Sequence, residues 1–232
     1  MLLNRNLRRE FGERLADLAW DLALLQEVPV SWVGELARKT GATGRFALTS
    51  RNWMSPVTAP IWSHRPHLIG SWEGGANLIL VRRGRSPRPT RSGAFTLRLR
   101  PERRRLHFVE LEGGPIVFNV HASTGLERAP EDVIRAAALA TRDAPGRPII
   151  FGGDLNVRPR SAPELFERIA GEYGLRLPGG ADPASIDQVL SGQSLVGTVE
   201  ELRSNPREFT DEETGLVARL SDHEPVMVRF GP

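Results

Sequence analysis

Apolar residues recur along this chain with two different periods, and the switch between them marks out its regions. Phe11, Leu15 and Leu18 share the spacing of one helical face and predict a helix over about 8–19. The run "DLALLQEV" is apolar at consecutive positions and predicts a strand buried on both faces, with Glu27 at its end. Ser31 stands where it would cap a second helix over 32–39, which Gly41 stops.

From about 44 to 121 the pattern becomes that of strands: "RFALTS", "HLIGSW", "ANLILVRR", "AFTLRLR", "RLHFVEL" and "IVFNVH", with Gly113-Gly114 as a hairpin signal between the last two. A helix follows over 130–142, with Pro130 near its start, where a missing N–H costs nothing. The stretch "IIFGGDLNVRP" changes character halfway. Ile149, Ile150 and Phe151 read as a buried strand, Gly152 and Gly153 as its break, and Asp154 and Asn156 as residues of a short loop. After a helix over 161–171, "SIDQVL" and "SLVGTVEE" read as strands. The polar run "RSNPREFTDEETGLVARL" reads as a loop, and "EPVMVRF" as the closing strand. No repeat, low-complexity tract or linker divides the chain. Residues 1–232 are therefore expected to form one domain, with two packed sheets and helices outside.

Composition narrows the chemistry. With 40% hydrophobic residues, the chain can build a sizeable core. It has no cysteine, which excludes disulfides, thiolate metal sites and cysteine nucleophiles. No run approaches the roughly 18 apolar residues of a membrane span, and "MLLNRNLRRE" lacks a signal-peptide pattern. A cytoplasmic monomer is the expectation. Net charge is +3, yet the pI is near 10.3, because Lys39 is the only lysine among many arginines. The arginines cluster: Arg82, Arg83, Arg85, Arg88 and Arg91, then Arg98, Arg100, Arg103, Arg104 and Arg105. Such a cluster suits a phosphate-rich partner, or else a solvated hairpin edge protected against aggregation.

Polar residues out of keeping with their surroundings collect at strand ends: Asn6, Glu27, Asn119, His121, Asp154, Asn156, Asp187, Asp222 and His223. Strands lying side by side would bring such ends to one edge. The set is rich in acids and amides, which suits a hard cation with oxygen ligands better than zinc. A phosphate ester is the natural substrate, with a histidine to activate water. Taken singly, each residue has a plainer reading. Glu27 would end its strand in solvent, Asp187 would serve a turn, Asn6 would cap the first helix, and His121 would be a satisfied strand-end histidine, as would His64, His67 and His107.

Order and context together change this. "LLQEV", "FNVHAS", "FGGDLNVRP", "SIDQVLS" and "LSDHEPV", in that order, resemble the endonuclease/exonuclease/phosphatase superfamily over nearly the whole chain. The resemblance implies a deoxyribonuclease I-like fold: a four-layered α/β sandwich of two packed, mostly antiparallel sheets flanked by helices. It implies a Mg²⁺ site, with Mn²⁺ as a substitute ion, and with Glu27 as principal ligand and Asn6 and Asp222 beside it. Asp154 and Asn156 would position the attacking water and the scissile phosphate. His223 would be the general base, oriented by Asp187. Asn6 and Asn119 would bind substrate, and His121 would contact the phosphate or help protonate the leaving oxygen. Glu73 is the candidate partner of His121. Two positions depart from the family: the Thr-aromatic-Asn at its start reads "NRN" here, and Tyr173 follows "GDLN", so it cannot match the site tyrosine of apurinic endonucleases.

The function this implies is Mg²⁺-dependent hydrolysis of phosphate esters, with a phosphodiesterase or nuclease acting on nucleic acid as the favoured case. One alternative is a phosphatase or phosphodiesterase of a small-molecule or lipid head-group phosphate. Another is a catalytically inactive module that binds a phosphate ligand.

Overall fold

The computed structural model describes residues 6–49, 75–192, 195–202, 207–212 and 214–231. Five strands form one sheet, in the order β4 (Pro89–Arg98), β5 (Arg104–Leu111), β6 (Ile116–His121), β7 (Ile149–Asp154), β8 (Asp187–Gly192). A second sheet has the order β1 (Leu22–Pro29), β3 (Gly75–Arg82), β2 (Ala42–Leu48). Within these sheets every neighbouring pair is antiparallel except β6 and β7. A parallel pair needs a long crossover, and helix α3 (Arg128–Asp143) lies on it.

Side chains alternate along a strand, so each strand serves two cores. Leu106 and Phe108 of β5, Phe118 and Val120 of β6 and Phe151 of β7 bury with Val133, Ala136 and Ala140 of α3 and with Ile169 of α4 (Pro163–Tyr173). The intervening Val109, Leu111, Val117 and Ile150 turn the other way and meet Ile79 and Val81 of β3. On the far side of β3, Leu78 and Leu80 pack with Leu36 of α2 (Val33–Lys39) and with Phe11 and Leu15 of α1 (Arg8–Asp17). The layers are therefore helix, sheet, sheet, helix. This is the four-layered α/β sandwich expected from the sequence.

Several elements differ from their sequence reading. β1 was expected to be buried on both faces, but it is the edge strand of its sheet and most of it is only half-buried. A cleft of about 900 Å³ separates it from β12 (Met227–Gly231), which pairs with β9 (Val196–Glu200) instead. An apolar run signals that burial is wanted, not which element supplies it. β7 does not break at its glycines but runs through both to Asp154. Ser31 lies in a 3₁₀ turn, Val30–Trp32, and Trp32, not Ser31, holds the N-cap position of α2. The polar run near the C-terminus holds a small hairpin, β10 (Glu208–Thr210) and β11 (Val217–Arg219). Buried Asp211 organises its turn by accepting the N–H and hydroxyl of Thr214, and Gly215 takes the positive φ. "HLIGSW", His64, His67 and Glu73 lie outside the described residues. No described helix is long and apolar enough to cross a membrane.

His107 of β5 is buried between the sheets, and its Nδ1 has no hydrogen-bond partner among the described residues. Burial pushes its imidazole down to about 4 from 6.5. The folded state therefore resists a proton that the unfolded chain accepts, and stability should fall as pH drops from about 6.5 towards 4. That gap corresponds to roughly 3 kcal/mol at full titration. Urea midpoints measured across this range should show the loss in the native protein, and His107→Leu should make it shallower by the share this imidazole contributes.

Candidate active site

Strand register assembles the site. β6 and β7 run parallel with His121 beside Asp154, and β7 and β8 run antiparallel with Asp154 across from Asp187. Residues paired in this way project from the same face, about 5 Å apart. The three strands therefore present a row of one imidazole and two carboxylates at a single edge. His223 reaches that row from the loop before β12. Its Nδ1 lies 2.9 Å from Asp187 Oδ2. Ligand atoms of Asp154, Asp187 and His223 all fall within 4.8 Å of one another. His121 Nε2 lies 3.5 Å from Asp154 Oδ2, and its Nδ1 3.9 Å from Glu27 Oε1.

Glu27 arrives from the other sheet through a bulge. Leu25 pairs with Leu78 and Val28 with Ala76, so Gln26 and Glu27 together oppose Asn77 alone. Glu27 adopts φ 56°, a left-handed conformation rare for a residue with a Cβ. The bulge presses on Gly75, where a Cβ would stand 2.8 Å from Glu27 Cα. Only glycine fits there. The bulge swings the Glu27 carboxylate out to 78% exposure, in front of His121.

Asn119 was expected to touch substrate; the structure gives it different work. It is fully buried, and its Nδ2 donates to Leu25 O and Leu78 O, both at 3.0 Å on the opposite sheet. Gln26 Nε2 donates to its Oδ1 at 2.7 Å. Asn77 answers from the other side, donating to the carbonyls of Arg105 and Asn119. This clasp also explains the two glycines of β7. A Cβ on Gly153, which has φ 130°, would lie 2.1 Å from Val120 O, 2.9 Å from Asn119 Oδ1 and 3.0 Å from Gln26 Nε2. On Gly152 it would lie 2.8 Å from Gln188 O. The glycines allow close approach within the strand and do not form a turn after it.

The two-sheet sandwich has counterparts among known proteins. The family model described as Endonuclease/Exonuclease/phosphatase family matches residues 2–223. This chain belongs to the endonuclease/exonuclease/phosphatase family. Its fold is shared by family proteins from Bacteroides thetaiotaomicron (18% identity, TM-score 0.64, 98% of this chain and 93% of that one) and Bacteroides vulgatus (15%, 0.66, 98% and 95%). It is shared too by D. rerio TDP2 humanized by 14 mutations (15%, 0.59, 97% and 93%). No curated protein matches the sequence significantly. Membership of the endonuclease/exonuclease/phosphatase family supports a phosphoester hydrolase in general.

The other family positions are less uniformly placed. Asn156 holds φ 52°, its N–H donates to Asp154 Oδ1, and its Nδ2 donates to Ala122 O at 3.0 Å, which ties the loop back to the end of β6. Asp222 is almost fully exposed, with Oδ2 3.9 Å from His223 Nε2. Asn6 is exposed two residues before α1 and its Oδ1 accepts the N–H of Arg8, while Leu7 holds the N-cap position. Among the described residues the Asn6 side chain makes no hydrogen bond to the cluster. Glu73 lies outside the described residues.

Burial and charge set the protonation states. Burial raises Asp154 and takes Asp187 up to about 6. His121 is pushed down to about 3, first by burial, then by the positive charges of Arg104 and His223. His223 moves upward: burial opposes its charged form, but the carboxylates of Asp187, Asp154 and Asp222 together outweigh that.

Sequence reasoning missed Gln26, Asn77 and Arg207, and it placed Arg104 only within the arginine cluster. An amide inside the apolar run "ANLILV" was the available signal for Asn77. Nothing local marked Arg207, whose guanidinium bonds Glu224 at 2.6 Å and so braces the loop carrying His223. The clasp yields a test. Asn119→Ala removes partners from two buried carbonyls and from Gln26, and should cost about 2–4 kcal/mol, read as a lowered urea midpoint at unchanged slope.

Proposed function

We propose that this chain is a Mg²⁺-dependent phosphodiesterase that acts on nucleic acid by in-line attack of a water activated by His223. The observation that carries this reading is the 2.9 Å His223–Asp187 pair, set beside Asp154 and in the same site as His121. Nδ1 of His223 donates to Asp187, which fixes the ring so that Nε2 can take a proton from water. Asp154 and Asn156 stand on the same edge to orient that water and the phosphate. At neutral pH His121 carries no charge, so it offers a hydrogen bond to a phosphoryl or leaving oxygen rather than a proton.

The residues fit a hard cation. Asp154 and Asp187 are raised by burial, and Glu27 and Asp222 add two further carboxylates at the rim. Oxygen-rich, acid-rich surroundings of this kind suit Mg²⁺, with Mn²⁺ as a substitute. We assign Glu27 and Asp222 as its carboxylate ligands. When bound, the ion supplies neutralisation of a phosphoryl oxygen.

The arginine cluster splits in two. β3 starts at Gly75, against Glu27, and ends at Arg82, so Arg82, Arg83, Arg85, Arg88 and Arg91 lie at the end of the sheets remote from the site. There they serve the fold. Arg82 stacks over Trp20 and bonds carbonyls of Ala16 and Leu18, and Arg91 pairs with Glu110 and Asp143. Only the second group, Arg98 to Arg105, lies at the end that carries the site.

One observation favours a second reading, an ester with an apolar substituent such as a lipid head-group phosphodiester. The cleft beside β1 is lined by Leu18, Trp20, Leu22, Met227 and Phe230, with Glu27, Asp187 and His223 along its wall. A panel of plasmid, single strands, RNA, phosphoinositides, sphingomyelin and a bis-aryl phosphate, with and without metal, separates the two readings from an inactive binding module.

Two outcomes test the mechanism. Glu27→Gln should abolish hydrolysis with the fold retained; EDTA should do the same to the native protein, and added Mg²⁺ or Mn²⁺ should restore it. Full activity in chelator would overturn the metal assignment. His223→Ala should lower kcat by about 10² to 10⁴ while changing substrate binding little. Asp187→Asn should lower the same parameter, and the double variant should lose little more, because the two residues act as one unit.

A further inference from the structure

The row of site residues does not stop at His121. β5 and β6 pair with Leu106 opposite Val120, and one step further along the same ladder Arg105 stands opposite His121. On its other side Arg105 pairs with Thr96 of β4, which is exposed. Across five strands the row therefore reads Thr96, Arg105, His121, Asp154, Asp187. The Arg105 backbone is fixed, since its carbonyl accepts Asn77 Nδ2 at 3.1 Å. Among the described residues its guanidinium makes no hydrogen bond or ion pair. The Nε is buried with no hydrogen-bond partner among the described residues. The Nε of Arg104 is likewise buried without a hydrogen-bond partner among the described residues, but its Nη2 is held by Glu102, and Arg98 is held by Asp132 and Glu131. Charge adds to this, because Arg104 acts on both His121 and Asp154, and Arg105 on Arg103. That end of the row is positive while the Asp154–Asp187 end is negative.

We propose that Arg105 is a substrate-binding residue whose guanidinium grips a phosphate next to the one being cleaved, which selects a strand of linked phosphodiesters over an isolated ester. This rests on the phosphodiesterase reading of the site. Arg105 lies two strands, about 10 Å, from Asp154. Because His121 stands between them, an anion held at Arg105 is distinct from one held at Asp154. A planar guanidinium with a half-buried stem is preorganised to grip phosphate through two parallel N–H bonds.

The test uses the full chain and two probes, a labelled single-stranded oligonucleotide and bis(p-nitrophenyl) phosphate, which has no second phosphate. In chelator, Arg105→Ala should weaken oligonucleotide binding and reduce the slope of log K against log salt by about 0.7, the value of one single-strand phosphate contact. With metal, its kcat/KM on the oligonucleotide should fall roughly ten- to a hundredfold, as for a lost hydrogen bond to a charged group, with the bis-aryl ester unaffected. Arg105→Lys should keep the salt slope but lose part of the affinity. Arg88→Ala, at the remote end, should change nothing. An unchanged slope in Arg105→Ala overturns the proposal, as does an equal loss on both substrates. If the native protein hydrolyses neither probe, the phosphodiesterase reading fails, and the binding measurement still decides the role of Arg105.

Discussion

Everything at the site depends on an amide buried between two sheets. Asn119 sits where hydrophobic packing alone would leave the sheets free to slide, and its three side-chain bonds fix their relative position. A buried polar group is stable only when its partners are in place, so the sheets have one arrangement in which Asn119 is satisfied. That arrangement puts Glu27, on one sheet, in front of His121, on the other. Hydrophobic contacts such as Ile79 with Val117 and Ile150 supply adhesion between the layers but little direction. The clasp supplies direction.

Strain is held at the same place. Glu27 and Asn156, the two non-glycine residues with positive φ among those described, both belong to the candidate site. Neither conformation would persist without surrounding support. Gly75 gives the Glu27 bulge its room, and Gly153 lets β7 pass close to Val120 O and the Asn119–Gln26 bond. Glycines at these positions show up in the sequence as weak strand residues, yet their function is to let other groups approach.

Electrostatics follow from the same packing. Gathering Asp154 and Asp187 at a partly buried edge raises both, while His121 beside them is held neutral. A cation would relieve the first effect without altering the second. The arginines show how a single compositional signal divides by position. Arg82 and Arg91 serve the fold at one end of the sheets, and Arg105 faces the other end with its guanidinium uncommitted among the described residues.

The sequence by itself determined the layers and most of the strands, because two-residue and three-to-four-residue periods report which faces must leave water. It also marked His121, Asp154, Asp187 and His223, since charged or imidazole side chains at the ends of apolar strands have no packing reason to be there. It could not determine partners. That Asn119 clasps rather than binds, that Gly152 and Gly153 lie within a strand, and that β1 is an edge depend on which strand lies alongside, and no local pattern encodes that. The row from Thr96 to Asp187 draws on five strands far apart in the chain. Only pairing register sets residues from distant segments about 5 Å apart on one face, and register is a property of the assembled sheet.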